Sequence, residues 1–339
     1  MQQPTTDSSA SPTAPHRTRS ASAGLSLRGL VKIHPGPVAA LRGVDLDVGE
    51  GLFGLLGPNG AGKSTLMNVV ATLIEPTAGS VLLDGVDVVR DPRAMRTRLG
   101  YLPQDFGFHP DLTGLAMLEL LLTLKGVTGP KGRRALATEL LDRVNLTAAM
   151  RRKVGGYSGG MRQRLGLAQA IAGDPRVLIV DEPTAGLDPE ERHRFYRLIA
   201  EMAARRIVLL STHIVEDVAT LCPRLGVIRG GEVLADTTPR DARAAIDGQV
   251  FEGIVPDAEL ERCAASLAEG SGGRTRILSA VLVEGSANRV RIHRTEGAVP
   301  PGFAPTPATL EDAYLVLMRT PTDEIPPGLR RARREEVTA

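Results

Sequence analysis

Apolar residues along this chain fall into two patterns, short unbroken runs and longer stretches in which they return every three or four positions. Unbroken runs read as buried strands and the helical period reads as helices packed by one face. Leu52, Phe53, Leu55 and Leu56 predict a short strand that stops at Gly57. A helix is then expected from Lys63 to Ile74, with Leu66, Val69, Val70 and Leu73 on its apolar face. Leu99 to Leu102, Val177 to Val180 and Ile207 to Leu210 read as further buried strands. Between them, residues 105 to 156 read as mostly helical, through Leu118, Leu121 and Leu122 and again through Leu136, Leu140, Leu141 and Val144. A helix with Leu165, Ala168 and Ile171 follows and stops at Gly173-Asp174-Pro175. Strands and helices alternate, so an α/β class is expected.

The turn after the first of these strands reads Gly57, Pro58, Asn59, Gly60, Ala61, Gly62, Lys63, Ser64, Thr65, a glycine-rich phosphate loop set between strand and helix. Glycines allow the backbone to turn where side chains would clash, so amide hydrogens can point inward beside the positive end of a helix. Lys63 would add charge for terminal phosphates and Ser64 a hydroxyl for Mg²⁺. Asp181 and Glu182 end a second buried strand, at the carboxyl edge where ligands of open α/β sheets bind. Alone they would be an ordinary acidic turn. Coupled to the phosphate loop, Asp181 suits the metal shell and Glu182 suits polarising an attacking water. Ser158, Gly159 and Gly160 open another helix able to meet an anion, although Ser158 could be a plain N-cap. One nucleotide cannot easily use two helix starts of one small domain, which hints that the second serves a nucleotide held by another copy.

Tyr157-Ser158-Gly159-Gly160-Met161, together with the motifs before and after it, resembles the nucleotide-binding subunit of ABC transporters, over roughly residues 24 to 235. The resemblance implies a P-loop NTPase core of ABC type, carrying an inserted helical subdomain at about 105–160. It also implies that Gln104 is the Q-loop glutamine, touching Mg²⁺ or the water, and that His213 is the switch histidine orienting Glu182. Ala185-Gly186-Leu187-Asp188 resembles the D-loop, whose Asp188 helps couple two halves of a dimer. Two positions depart from the family pattern, Tyr157 for Leu and Met161 for Gln; Met161 is expected to affect packing more than phosphate contact. His34 stands where the family often places an aromatic residue under adenine, and an imidazole can still stack there. ATP and Mg²⁺ are the cofactors implied. The implied partners are a second copy or related subunit and separate membrane permease subunits, at the cytoplasmic face of the cell membrane; residues Phe106 to Leu112 would face the permease.

Composition narrows the setting. A net charge of +2, no Trp and 3% aromatic residues provide neither a basic stripe nor a stacking platform for nucleic acid. No stretch approaches the roughly 20 apolar residues of a membrane helix. Cys222 and Cys263 offer no metal spacing and fit a reducing cytosol. Residues 1–22 read as a disordered leader rich in Ser, Thr, Pro and Ala. The ATPase domain is expected over 23–235 and a small α+β domain over 236–320, with strands at Val250 to Val255, Arg276 to Glu284 and Asn288 to Arg294 and a helix at Ala258 to Ala268. Thr309-Leu310-Glu311-Asp312 would open a capped helix with Leu310, Ala313, Tyr314 and Leu317 on one face. This part resembles the extension of ATPases that drive daunorubicin-resistance exporters. A flexible basic and acidic tail is expected over 321–339. A soluble ABC-family ATPase acting on ribosomes or DNA is the alternative, and a GTPase ranks last because no Asn-Lys-x-Asp motif occurs.

Overall fold

A sheet strand that is apolar on both faces must be covered on both, and the central strands here alternate between two separate cores. The computed structural model describes residues 24–36, 38–184, 187–269, 275–283, 285–326 and 328–329. Hairpin strands β1 (Leu25–His34) and β2 (Val38–Val48) precede β3 (Gly51–Leu56) and α1 (Lys63–Val70). Next come β4 (Ala78–Leu83), β5 (Val86–Asp87), α2 (Pro92–Arg96) and β6 (Leu99–Leu102). Helices α3 (Gly114–Leu124), α4 (Arg133–Arg143) and α5 (Gly159–Ile171) form one layer. The chain continues through β7 (Val177–Asp181), α6 (Pro189–Ala203), β8 (Ile207–Thr212), α7 (Val215–Leu221), β9 (Arg224–Arg229) and β10 (Glu232–Thr237). It ends with α8 (Pro239–Ala244), β11 (Val250–Pro256), α9 (Leu260–Glu269), β12 (Thr275–Val283), β13 (Ala287–Arg294), β14 (Phe303–Pro305) and α10 (Leu310–Arg319).

The main sheet runs β10-β9-β3-β8-β7-β6, parallel except for β10. Leu52, Leu56, Leu178, Val180, Val208 and Leu210 point to the helical layer, while Phe53, Leu55, Val177, Ile179, Ile207 and Leu209 point to α1 and the antiparallel sheet β2-β1-β4-β5. Period-two alternation thus splits each run between two cores. Because β3 lies between β8 and β9, loops leaving its carboxyl end meet at the point where strand order reverses, and a crevice opens there.

Helix α1 is shorter than expected. Thr72 takes a left-handed φ of 57°, the Leu73 amide turns back to Asn68 O, and Leu73 is 60% exposed. The apolar spacing continues past the point where the backbone has already turned. Ile74 still packs against the α1 core.

The third sheet, β12-β13-β11-β14, is covered on one face by α9, with Phe251, Val255, Leu267, Val290 and Ile292 as its own small core. Its other face meets α10. Burial alone would raise the Asp312 carboxyl, but two hydrogen bonds from Arg291 (2.7 and 2.9 Å) and bonds from Thr309 hold it below the usual carboxylate range. Thr309 and Asp312 complete the capping box of α10. Leu310, Ala313, Val316 and Leu317 of α10 join Val227, Leu234, Ala242 and Ile246 in the core of the main sheet. Ile325 and Leu329 are buried in the same core, so residues 321–326 and 328–329, read from sequence as the start of a tail, pack against the main sheet through these two side chains. The leader 1–22 and the Arg330 to Arg334 cluster lie outside the described residues.

A β-carbon on Gly100 would sit 2.2 Å from Ala170 O, where α5 backbone rests on β6. Gly100→Ala should therefore lower stability by about 1–3 kcal/mol, read as a lower urea midpoint. Cys222 lies against Gly54, and burial, with the nearby Asp217 charge, pushes its thiol up to about 12. A raised pKa leaves less thiolate, roughly one part in 10⁴ at pH 8. Iodoacetamide at pH 8 should thus label the half-buried Cys263 first and reach Cys222 only when the chain is unfolded or the pH approaches 12.

Candidate nucleotide site

Strand β3 delivers the chain into the crevice at Gly57, where only a glycine fits: a β-carbon there would lie 2.4 Å from Ile228 O of β9. At Gly62, φ is 105° and a β-carbon would meet Ala40 O at 2.6 Å. The loop is therefore pressed between β2 and β9. It feeds directly into α1, whose first turn has no side-chain cap and no acidic residue, leaving its amides free for an anion.

Lys63 is 4% exposed, and its ammonium bonds Gly57 O (2.8 Å) and Pro58 O (3.2 Å) and pairs with Glu182 Oε1 at 3.1 Å. Glu182 follows β7 with a left-handed φ of 43° and is fixed there by its N–H, which donates to Ser211 O and Ser211 Oγ of β8 at 3.1 and 3.3 Å. The other carboxylate oxygen, Oε2, lies 3.0 Å from His213 Nδ1, just past the end of β8. Three elements thus converge on one carboxylate. Asp181, one residue earlier, is buried, which pushes its carboxyl up, opposed by hydrogen bonds from Ser211 and Ser64.

A cavity of about 490 Å³ opens above this group. Of the residues expected from sequence, Asn59, Gly60, Gly62, Lys63, Ser64, Thr65, Gln104 and Glu182 line it. Gly57, Pro58 and Ala61 shape the loop from behind, and Asp181 and His213 stand one bond further out. Hydroxyl, carboxylate and amide oxygens from Ser64, Asp181 and Gln104 form an oxygen-only donor set, which fits a hard cation such as Mg²⁺. The glycine cradle and uncapped amides fit a phosphate chain.

Five other expectations fall elsewhere. His34 does not line the cavity: the β1–β2 hairpin pairs it with Val38, and Val38, Ala39, Ala40 and Arg42 form that wall instead. Gly230, from the β9–β10 turn, completes the lining. None of these five residues was singled out in the sequence; a Gly-Gly pair after a strand signals a tight turn but not what it faces. Ser158, Gly159 and Gly160 are also outside the lining; Ser158 and Gly159 are exposed, with Ser158 Oγ accepting from the Met161 amide as the N-cap of α5, while Gly160 is buried against Glu191. Asp188 is likewise exposed and caps α6, accepting from the Glu191 amide at 2.8 Å.

Both departures at the start of α5 are accommodated by packing. Tyr157 is buried with its hydroxyl donating to Ala149 O at 2.9 Å and filling the space above Gly114, while Met161 packs against the helical core. Behind them Arg164 joins α5 to α6, donating to Gly160 O at 3.3 Å and pairing with Glu191 at 3.2 Å.

Comparison with known proteins places this geometry. Residues 41–185 match the family described as ABC transporter. Daunorubicin resistance ATP-binding protein DrrA2 of Streptomyces coeruleorubidus is 41% identical over 241 residues, 70% of this chain and 74% of that protein. Nod factor export ATP-binding protein I of Burkholderia pseudomallei is 39% identical over 269 residues, 78% of this chain and 87% of that one. Among solved structures, the dimeric MJ0796 bacterial ABC transporter cassette superposes with a TM-score of 0.57 at 28% identity, over 63% of this chain and 98% of that chain. A phosphate loop, a lysine–glutamate–histidine chain and these likenesses together mean that the chain belongs to the ATP-binding proteins of ABC transporters, alongside those of the daunorubicin-resistance type, and hydrolyses ATP.

Proposed function

We propose that the chain drives export of a small molecule or lipid by hydrolysing ATP in head-to-tail pairs. In each composite site one copy contributes Lys63, Ser64, Gln104, Asp181, Glu182 and His213 and the other Ser158 and Gly160. The observation that carries this reading is the separation of the two helix starts. One lines the cavity, while the other, at Ser158 and Gly159, lies exposed and outside the lining, its Ser158 hydroxyl engaged only as the N-cap of α5 among the described residues. A second copy supplies the missing wall.

Within a site, Lys63 is released from Glu182 by the arriving phosphates and neutralises them, which leaves the Glu182 carboxylate free to accept a hydrogen bond from the attacking water. His213 holds the other oxygen of that carboxylate and so fixes its direction. Magnesium, held by Ser64, Asp181 and Gln104, would supply positive charge against the terminal phosphate oxygens. Among the described residues no helix is long and apolar enough to cross a membrane, which supports a separate permease as the path for cargo, with this chain on the cytoplasmic face. The names of the relatives, which refer to daunorubicin resistance and Nod factor export, favour export as the direction.

Glu182→Gln should lower turnover by about 10²–10⁴-fold, the usual worth of a positioned base, while ATP still binds and dimer accumulates in gel filtration. Undiminished turnover would remove Glu182 from that role. Ser158→Arg separates a composite site from a self-sufficient one. Native turnover per chain should rise with protein concentration, and the substitution should abolish that rise without affecting ATP binding. Turnover linear in protein and indifferent to Ser158 would mean that each copy works alone.

A further inference from the structure

Arg229 ends β9, and its side chain turns away from the cavity toward the C-terminal helix. A helix leaves its last carbonyls without partners, and a cation there meets the negative end of the dipole. Arg229 Nη1 donates to Leu317 O (2.7 Å), Met318 O (3.1 Å) and Thr320 O (2.8 Å), and Nη2 donates to Thr322 Oγ1 (3.0 Å). One guanidinium therefore closes the end of α10.

The backbone around the same residue is built into the nucleotide wall. Ile228 O lies against Gly57, where it excludes a β-carbon. Gly231 N donates to Ala61 O at 2.9 Å, and Gly231 O accepts from Arg42 N at 2.9 Å. Gly230, between them, lines the cavity. Arg229 thus sits between two contacts on the phosphate loop and holds α10 with its side chain, so the loop and the C-terminal helix are one residue apart. Gly230 and Gly231 have φ of 56° and 83°, and a β-carbon on Gly231 would strike Ala40 O at 2.7 Å, which leaves this turn little room to shift independently of its neighbours.

We propose that Arg229 is a positioning residue for ATP binding: by anchoring to the end of α10 it sets the placement of the β9–β10 turn against the phosphate loop, so that seating of the C-terminal segment tunes nucleotide affinity. This rests on the cavity being the ATP site. Coupling is reciprocal, so bound nucleotide must in turn steady α10.

Steady-state ATP hydrolysis by the full chain carrying Arg229→Ala or Arg229→Lys tests it, with Lys63→Ala as a control for the site. Arg229→Ala should raise KM for ATP about fivefold, within the range of residues that modulate coupling without touching ligand, while kcat stays within about twofold. Arg229→Lys, which keeps a charge and donors for the same carbonyls, should recover most of the loss. Should Arg229→Ala fail to fold, hydrogen exchange on the native chain answers the same question: a non-hydrolysable ATP analogue should slow amide exchange in residues 314–320. A lowered melting temperature with KM unchanged, or exchange in that segment indifferent to the analogue, would overturn the proposal. If Lys63→Ala binds ATP like the native chain, the cavity reading fails and the proposal falls with it; if Lys63→Ala loses binding while Arg229→Ala keeps its KM, the proposal alone fails.

Discussion

An ammonium group taken out of water must find compensating charge and hydrogen bonds, because leaving it alone costs several kcal/mol. Lys63 meets that requirement with two loop carbonyls and the Glu182 carboxylate, and the surrounding structure follows from it. The carbonyls come from Gly57 and Pro58, so the loop must fold back over its own lysine. The carboxylate comes from the end of β7, so β3 and β7 must lie close in one sheet with β8 between them. On the proposed reading, phosphate oxygens would offer Lys63 acceptors of the same kind as the Glu182 carboxylate.

Glu182 occupies a backbone region that costs a non-glycine residue of order 1–3 kcal/mol. Its strain is held by Ser211, which accepts the Glu182 N–H at both its carbonyl and its hydroxyl, and whose hydroxyl also bonds Asp181. A single serine on β8 therefore orients both acids. The same strand then turns to present His213 on the far side of Glu182, so one pair of parallel strands positions both carboxylates and the imidazole that contacts the second.

The features legible in the sequence were those whose cause is local. Glycines at 57, 60 and 62 are needed by the loop's own backbone, and the unbroken runs at Leu52 and Val177 are needed because both faces of those strands are covered. Ser158 and Thr309 cap the helices that they precede, and that is a matter of a few neighbouring residues. What escaped depends on distant register. Val38, Ala39, Ala40 and Arg42 reach the cavity only because of how β2 lies across the loop, and His34 misses it because the hairpin turns at Gly36. Thr72 breaks α1 inside the apolar period, so Leu66, Val69 and Val70 are buried as the period implies while Leu73, beyond the break, is turned outward. Likewise the apolar face of α10 was visible, but nothing in it named the main sheet as its partner.

That last pairing has a bearing on how the chain is made. Val227, Leu234, Ala242 and Ile246 are joined in their core by Leu310, Ala313, Val316 and Leu317, which are synthesised only after the whole of the intervening small sheet. At about 5–20 residues per second, several seconds pass during which the nascent ATPase core has its strands in hand but an open apolar seam along β9 and α8. The small sheet with its own core can form in that interval and bring α10 to the seam already capped by Asp312. Final closure is therefore a late event in the life of each molecule, and the end of the chain acts as the latch of a core begun near its start.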